Sequence, residues 1–145
     1  MAMVDLRYLK ILDVIKGFMD ENNALQESLA KDIDASINDS VNMIRMLDGL
    51  YYLHYHIEFY VDLQCLIVDV ENEKDRFLVQ KRTQGFFEYF KEELNIFIKE
   101  GRTWKCEDYR CIDWIKRLTD AIVEIKDFFE NNKVAMDKSV LDKME

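Results

Sequence analysis

Tyr51-Tyr52-Leu53-His54-Tyr55-His56-Ile57-Glu58-Phe59-Tyr60-Val61-Asp62-Leu63-Gln64-Cys65-Leu66-Ile67 is the stretch on which the fold class turns. Every odd-numbered position in it is apolar, and the even positions from His54 to Gln64 are polar apart from Tyr60. Alternation with a period of two, rich in aromatics, is a strand pattern, because successive side chains of a strand point to opposite faces. Against it stands length: typical strands run ~5–6 residues. No turn chemistry interrupts the run, and the only pairing partner in reach is the short segment Arg76 to Gln80. The same residues fit a nearly buried helix on which His54, Glu58, Asp62 and Asp69 form one narrow polar stripe. The helix is the favoured reading. A hairpin or long strand within residues 51–80, giving an α+β fold, is the alternative.

On the N-terminal side, Val4, Tyr8, Ile11, Ile15, Phe18, Leu25 and Leu29 recur at alternating steps of four and three, with Asn22 in the one missing slot. That spacing predicts a helix from about Val4 to Ala30 with one apolar face, and a kink or break at Glu21-Asn22-Asn23. Ser36 followed by Asp39 reads as a capping box opening a second helix, which takes Ile37, Val41, Ile44 and Leu47 inward. Asp48-Gly49 reads as a turn or helix stop. On the C-terminal side, Glu71 to Lys74 is a charged connector. A third helix is expected over Gln84 to Glu100, burying Phe87, Phe90, Leu94 and Phe97, with Gly101 as its stop. The clearest pattern is the last: Cys111, Ile115, Leu118, Ile122, Ile125 and Phe129 share one face, with a weaker continuation through Met136 and Val140.

Composition supports long helices. The 145 residues contain no proline and four glycines, whereas all-β domains draw on both for frequent turns. The length suits one domain spanning residues 1–145, and 49% hydrophobic with 34% charged residues suits a folded globule. The expected fold is therefore all-α, a bundle of about four long helices. Asp5, Arg7 and Lys10 interrupt any apolar signal core near the N-terminus, and the three cysteines are an odd number, so the expectation is a cytoplasmic protein with free thiols.

The net charge of −9 is unevenly spread, with 13 acids against 5 bases in residues 1–72 and 16 against 15 in the remainder. Direct nucleic-acid binding is disfavoured, since phosphate contacts need clustered Lys and Arg. A spanning helix is disfavoured too, because the most apolar window, Leu50 to Val70, carries His54, His56, Glu58, Asp62 and Asp69. The strip around Lys81, Arg82, Arg102, Lys105, Arg110, Lys116 and Arg117 reads as solvated surface.

Candidate chemistry is sparse. Asp32, Asp34, Ser36, Asn38 and Ser40 alternate as calcium-loop ligands do, but Ile37 stands where glycine is needed and Met43 where a bidentate glutamate belongs. His54, Glu58 and Asp62, at i, i+4 and i+8, are the one candidate metal set, with Glu88 or Glu92 as helpers from another helix. Cys106 and Cys111 lack a second cysteine pair for a zinc site. No cofactor motif and no catalytic motif is present.

The residues favour a non-enzymatic protein-binding module of the inhibitor, immunity or assembly type, acting through an acidic helical surface on a partner with a basic surface. Tyr51, Tyr52 and Tyr55, with Asp32, Asp34 and Asp39, are the expected contact residues. The alternatives are a small metal-dependent helical enzyme and a self-assembling subunit, the latter a homodimer pairing through the Cys111–Phe129 seam.

Overall fold

The computed structural model describes residues 6–132, so the expected contributions of Val4, Met136 and Val140 lie outside the described residues. Four helices follow one another: α1 (Leu6–Lys31), α2 (Ile37–Asp69), α3 (Glu73–Thr103) and α4 (Tyr109–Asn131). Sequential neighbours pack together, and α1 also packs on α4, which closes the ring of an all-α four-helix bundle. The links are short (32–36, 70–72 and 104–108), so each helix runs antiparallel to the one before it.

The stretch from Tyr51 to Ile67 is helical, and no strand occurs among the described residues. Local alternation loses here because a 33-residue helix buries Leu53, Ile57, Tyr60 and Val61 against three other helices, while a lone strand would leave its amides unpaired. The helix is not nearly buried, however. Its odd positions split, with Leu53 and Ile57 in the core and Tyr51, Tyr55 and Phe59 in solvent.

Three expected interruptions are absent. α1 runs straight through Glu21-Asn22-Asn23 because Asn22, fully buried, donates from Nδ2 to the Met43 carbonyl of α2 at 2.9 Å and accepts from Gln26. α2 runs through Asp48-Gly49 because the missing side chain admits the Phe97 ring of α3, whose edge would lie 2.6 Å from a Cβ at position 49. α3 passes Gly101 and ends at Thr103, since a Cβ there would meet Thr119 Oγ1 of α4. At these two positions glycine is a close-approach residue and not a helix stop. α3 also begins earlier than the spacing implied, because Asn72 caps it by accepting the amides of Lys74 and Asp75. Arg76 reaches back to the carbonyls of Val70 and Glu71 and closes the end of α2.

The start of α2 is rotated relative to the sequence expectation. Asp39, Met43, Met46, Leu50, Leu53, Ile57 and Tyr60 face inward at steps of four and three, while Ile37, Val41 and Ile44 are exposed. Ser36 occupies the N-cap but makes no side-chain cap bond, so the capping box does not form. Asp39 is instead fully buried and its carboxylate accepts the amides of Glu107 and Asp108, while Asn42 donates to the Lys105 carbonyl. The α3–α4 link is thereby tied to the first turn of α2. α4 matches its expected face, with Cys111, Ile115, Leu118, Ile122, Ile125 and Phe129 buried and Trp114 donating to the Phe18 carbonyl at 3.2 Å. The seam offered for homodimer pairing is therefore spent within one chain.

Candidate functional site

Helix α2 is apolar on two sides. One side builds the core. On the other, Ile37, Val41, Ile44, Tyr51, Tyr52, Tyr55, Phe59 and Leu66 fall within about 100° of one another at 100° per residue, and all are exposed. Its aromatic centre is open to solvent, with Tyr51 53%, Tyr52 70% and Tyr55 65% accessible. A helix in water normally turns polar residues outward, whereas these side chains lie outside the buried core, and of them Phe59 packs edge-on against Phe86 of α3 at 4.9 Å. Asp48 and Asp62 sit within the stripe, and Glu58 and Asp69 flank it, all exposed. Between Lys31 and Lys74 the only lysine or arginine is Arg45, against nine acids. The surface is thus aromatic and acidic together.

Beside the stripe, along the α2–α3 seam, lies a recess of about 400 Å³. Tyr52, His56, Tyr89 and Phe97 wall it, and Glu93 and Glu100 stand on the α3 side. The His56 ring makes edge contacts with Phe86, Tyr89 and Phe90 at centroid distances of 5.7 to 6.1 Å, which fixes it against α3.

The six residues expected to meet a partner do not form one patch. Tyr51, Tyr52 and Tyr55 are exposed together at mid-helix. Asp39 is a correction: it is buried in the bundle, because two amides of the α3–α4 link need its oxygens. Asp32 and Asp34 are exposed in the α1–α2 link, about 25 Å along α2 from Tyr52 at 1.5 Å per residue. Asp32 accepts the Asp34 amide at 3.0 Å and faces Arg110 at 3.7 Å. Missed in the sequence were Tyr89, Glu93 and Phe97 of α3, whose approach to Tyr52 depends on how the two helices are rotated.

His54 Nδ1 lies 2.6 Å from Glu58 Oε1, one helical turn on, and Asp62 is exposed a further turn away. Among the described residues, no group of three or more His, Cys, Asp or Glu side chains is placed to hold a metal ion. Two members of the basic strip are matched by acids. Arg117 bridges Glu21 at 2.8 Å and Asp113 at 2.9 Å, contacts that raise its pKa, and Arg110 holds the Asp108 carboxyl below the usual range. All three thiols are free. Burial raises each of them, most for Cys111, which is pushed up to about 12.

No protein-family model, curated protein or solved structure matches this chain. No described helix is long and apolar enough to cross a membrane.

Proposed function

We propose that this protein acts by binding another protein, through the outer face of α2. The observation that carries the reading is the exposure of Tyr51, Tyr52 and Tyr55 beside Phe59 on one helix face. Large aromatic side chains anchor protein interfaces because each buries about 150–250 Å² and contributes stacking beyond its area. The acids in and around the stripe define the partner's chemistry. A second copy of this chain would set Asp48, Glu58 and Asp62 against the same acids, with Arg45 as the only lysine or arginine on α2. A foreign surface that is apolar at its centre and basic at its rim complements the face instead. An amphipathic helix with lysines or arginines beside its apolar stripe has that character. The role is that of a regulatory or assembly module, with no chemistry of its own.

The test is site-directed photo-crosslinking in the native host, with p-benzoylphenylalanine in place of Tyr55 on α2 and, as comparator, of Asp127 on α4. The expected result is a discrete adduct from position 55 that is lost when Tyr51→Ser and Tyr52→Ser are added, and none from position 127. Equal adducts from both positions, or none from position 55, would contradict the assignment.

A further inference from the structure

We propose that the recess between α2 and α3 receives a lysine or arginine side chain of the docked partner; this rests on the reading of α2 as the docking face. Tyr52 belongs to both features, being open to solvent on the stripe and part of the recess wall, so a chain lying along α2 passes the mouth of the recess. On α3, Tyr89, Glu93, Ile96 and Glu100 follow at steps of four, three and four, so one face of that helix supplies the opposite wall. Gly49 shapes the seam between them, because the Phe97 ring occupies the space a side chain at 49 would need.

The lining is chemically one-sided. It combines three aromatic rings and His56 with two carboxylates and holds no lysine or arginine. Among the described residues, neither Glu93 nor Glu100 forms an ion pair with a lysine or arginine. The depression between α1 and α4 is the contrast: its acids, Glu21 and Asp113, are both bound by Arg117 from the same chain. At the α2–α3 recess the exposed carboxylates of Glu93 and Glu100 have no such bridge among the described residues, which leaves them open to a cation from a partner. Ring faces attract a cation through their quadrupole, and carboxylates at the mouth add charge-assisted hydrogen bonds, so a long cationic side chain with an apolar stem satisfies every wall. A free metal ion would use the carboxylates and leave the rings unused.

The probe is a fluorescein-labelled 18-residue helical peptide with leucines along one face and lysines and arginines beside them, titrated against the full chain by anisotropy at 50 and 150 mM salt. Wild type is expected to bind, and Glu93→Gln with Glu100→Gln to weaken binding at least fivefold. The charge-matched control Glu27→Gln with Asp127→Asn, both exposed and remote from the recess, is expected to change it less than twofold. Tyr51→Ser with Tyr55→Ser, on the stripe but outside the recess, should weaken it at least tenfold. If the two acid pairs have equal effects, the recess assignment is overturned while docking on α2 stands. If wild type does not bind, or the tyrosine variant binds as well as wild type, the docking reading fails and the recess with it.

Discussion

Two acidic residues meet at the end of the bundle: Oδ2 of Asp39 accepts the backbone amide of Asp108 at 2.8 Å. Oδ1 of the same buried carboxylate takes the amide of Glu107 at 2.9 Å. Asp39 stands in the first turn of α2, where the helix dipole favours a negative charge, and it supplies acceptors to a link that has no regular structure. Hydrogen bonds to a charged group contribute about 1.5–3 kcal/mol each when lost without replacement. Asp39→Ala is therefore expected to destabilise the protein by about 2–4 kcal/mol in urea unfolding, and Asp39→Asn, which keeps one acceptor, by less. Equal stability of the alanine variant and wild type would remove the clamp from the explanation of the fold.

Gly101 and Thr119 make a second tight contact, between α3 and α4. A Cβ on Gly101 would stand 2.5 Å from Thr119 Oγ1, and that hydroxyl is held by its bond to the Ile115 carbonyl at 2.8 Å. Gly101→Ala is expected to cost about 1–3 kcal/mol through overpacking, despite the better helix propensity of alanine. In a Thr119→Ala background the nearest obstruction becomes Met46 Cε at 3.4 Å, and the same substitution should become neutral or stabilising. A double-mutant cycle in urea measures this, and additive effects would show that the contact is not the cause.

Those two contacts mark the boundary of what the residues disclose by themselves. The faces of α1 and α4 were legible, since each has one apolar stripe: Tyr8, Ile15 and Leu29 on the first, Cys111 to Phe129 on the last. α2 was not, because it has two, and periodicity cannot say which of Met43–Leu50 or Val41–Ile44 turns inward. Asp39 decides it, and a carboxylate on a core face is visible only once its two amide donors are in place. Gly49 and Gly101 read as stops for a similar reason: their neighbours, Phe97 and Thr119, come from other helices. The tyrosines of the candidate site were legible as an unusual cluster. The α3 wall beside them was not, since it depends on the rotation of one helix against another.

Tyr60 is buried among aromatic rings, and among the described residues its hydroxyl has no hydrogen-bond partner of good geometry. Gln64 is near, but its amide donates to the Tyr8 hydroxyl at 3.1 Å; burial dominates and drives the Tyr60 pKa up. An unsatisfied buried hydroxyl costs roughly 1–3 kcal/mol. Tyr60→Phe is accordingly expected to hold or raise the melting temperature, as read by circular dichroism. A fall of several degrees would mean that the hydroxyl is engaged.

Cys111 links stability to pH. Burial first, then the nearby Asp39, Cys106 and Asp108, push its thiol up to about 12, whereas an unfolded cysteine ionises near ~8.5. Between those values the folded state binds more protons than the unfolded one. This contribution is thus complete below about pH 8.5 and is lost as pH rises toward 12, at up to ~1.4 kcal/mol per unit. Tyr60, raised in the same direction, steepens the upper end. Urea unfolding at pH 7.5, 9 and 10.5 is expected to show a smaller loss for Cys111→Ala than for wild type, and parallel losses would contradict the assignment.

Tyr51, Tyr52 and Tyr55 are held to be present for contact with another molecule and not for the fold. Replacing all three by serine and measuring the free energy of unfolding tests that most directly. Exposed side chains outside such features usually change stability by no more than about 0.5 kcal/mol each, so the variant should unfold within about 1.5 kcal/mol of wild type. A loss of 4 kcal/mol or more would mean that the rings are packed into the bundle, and the outer face of α2 would then cease to be a binding surface.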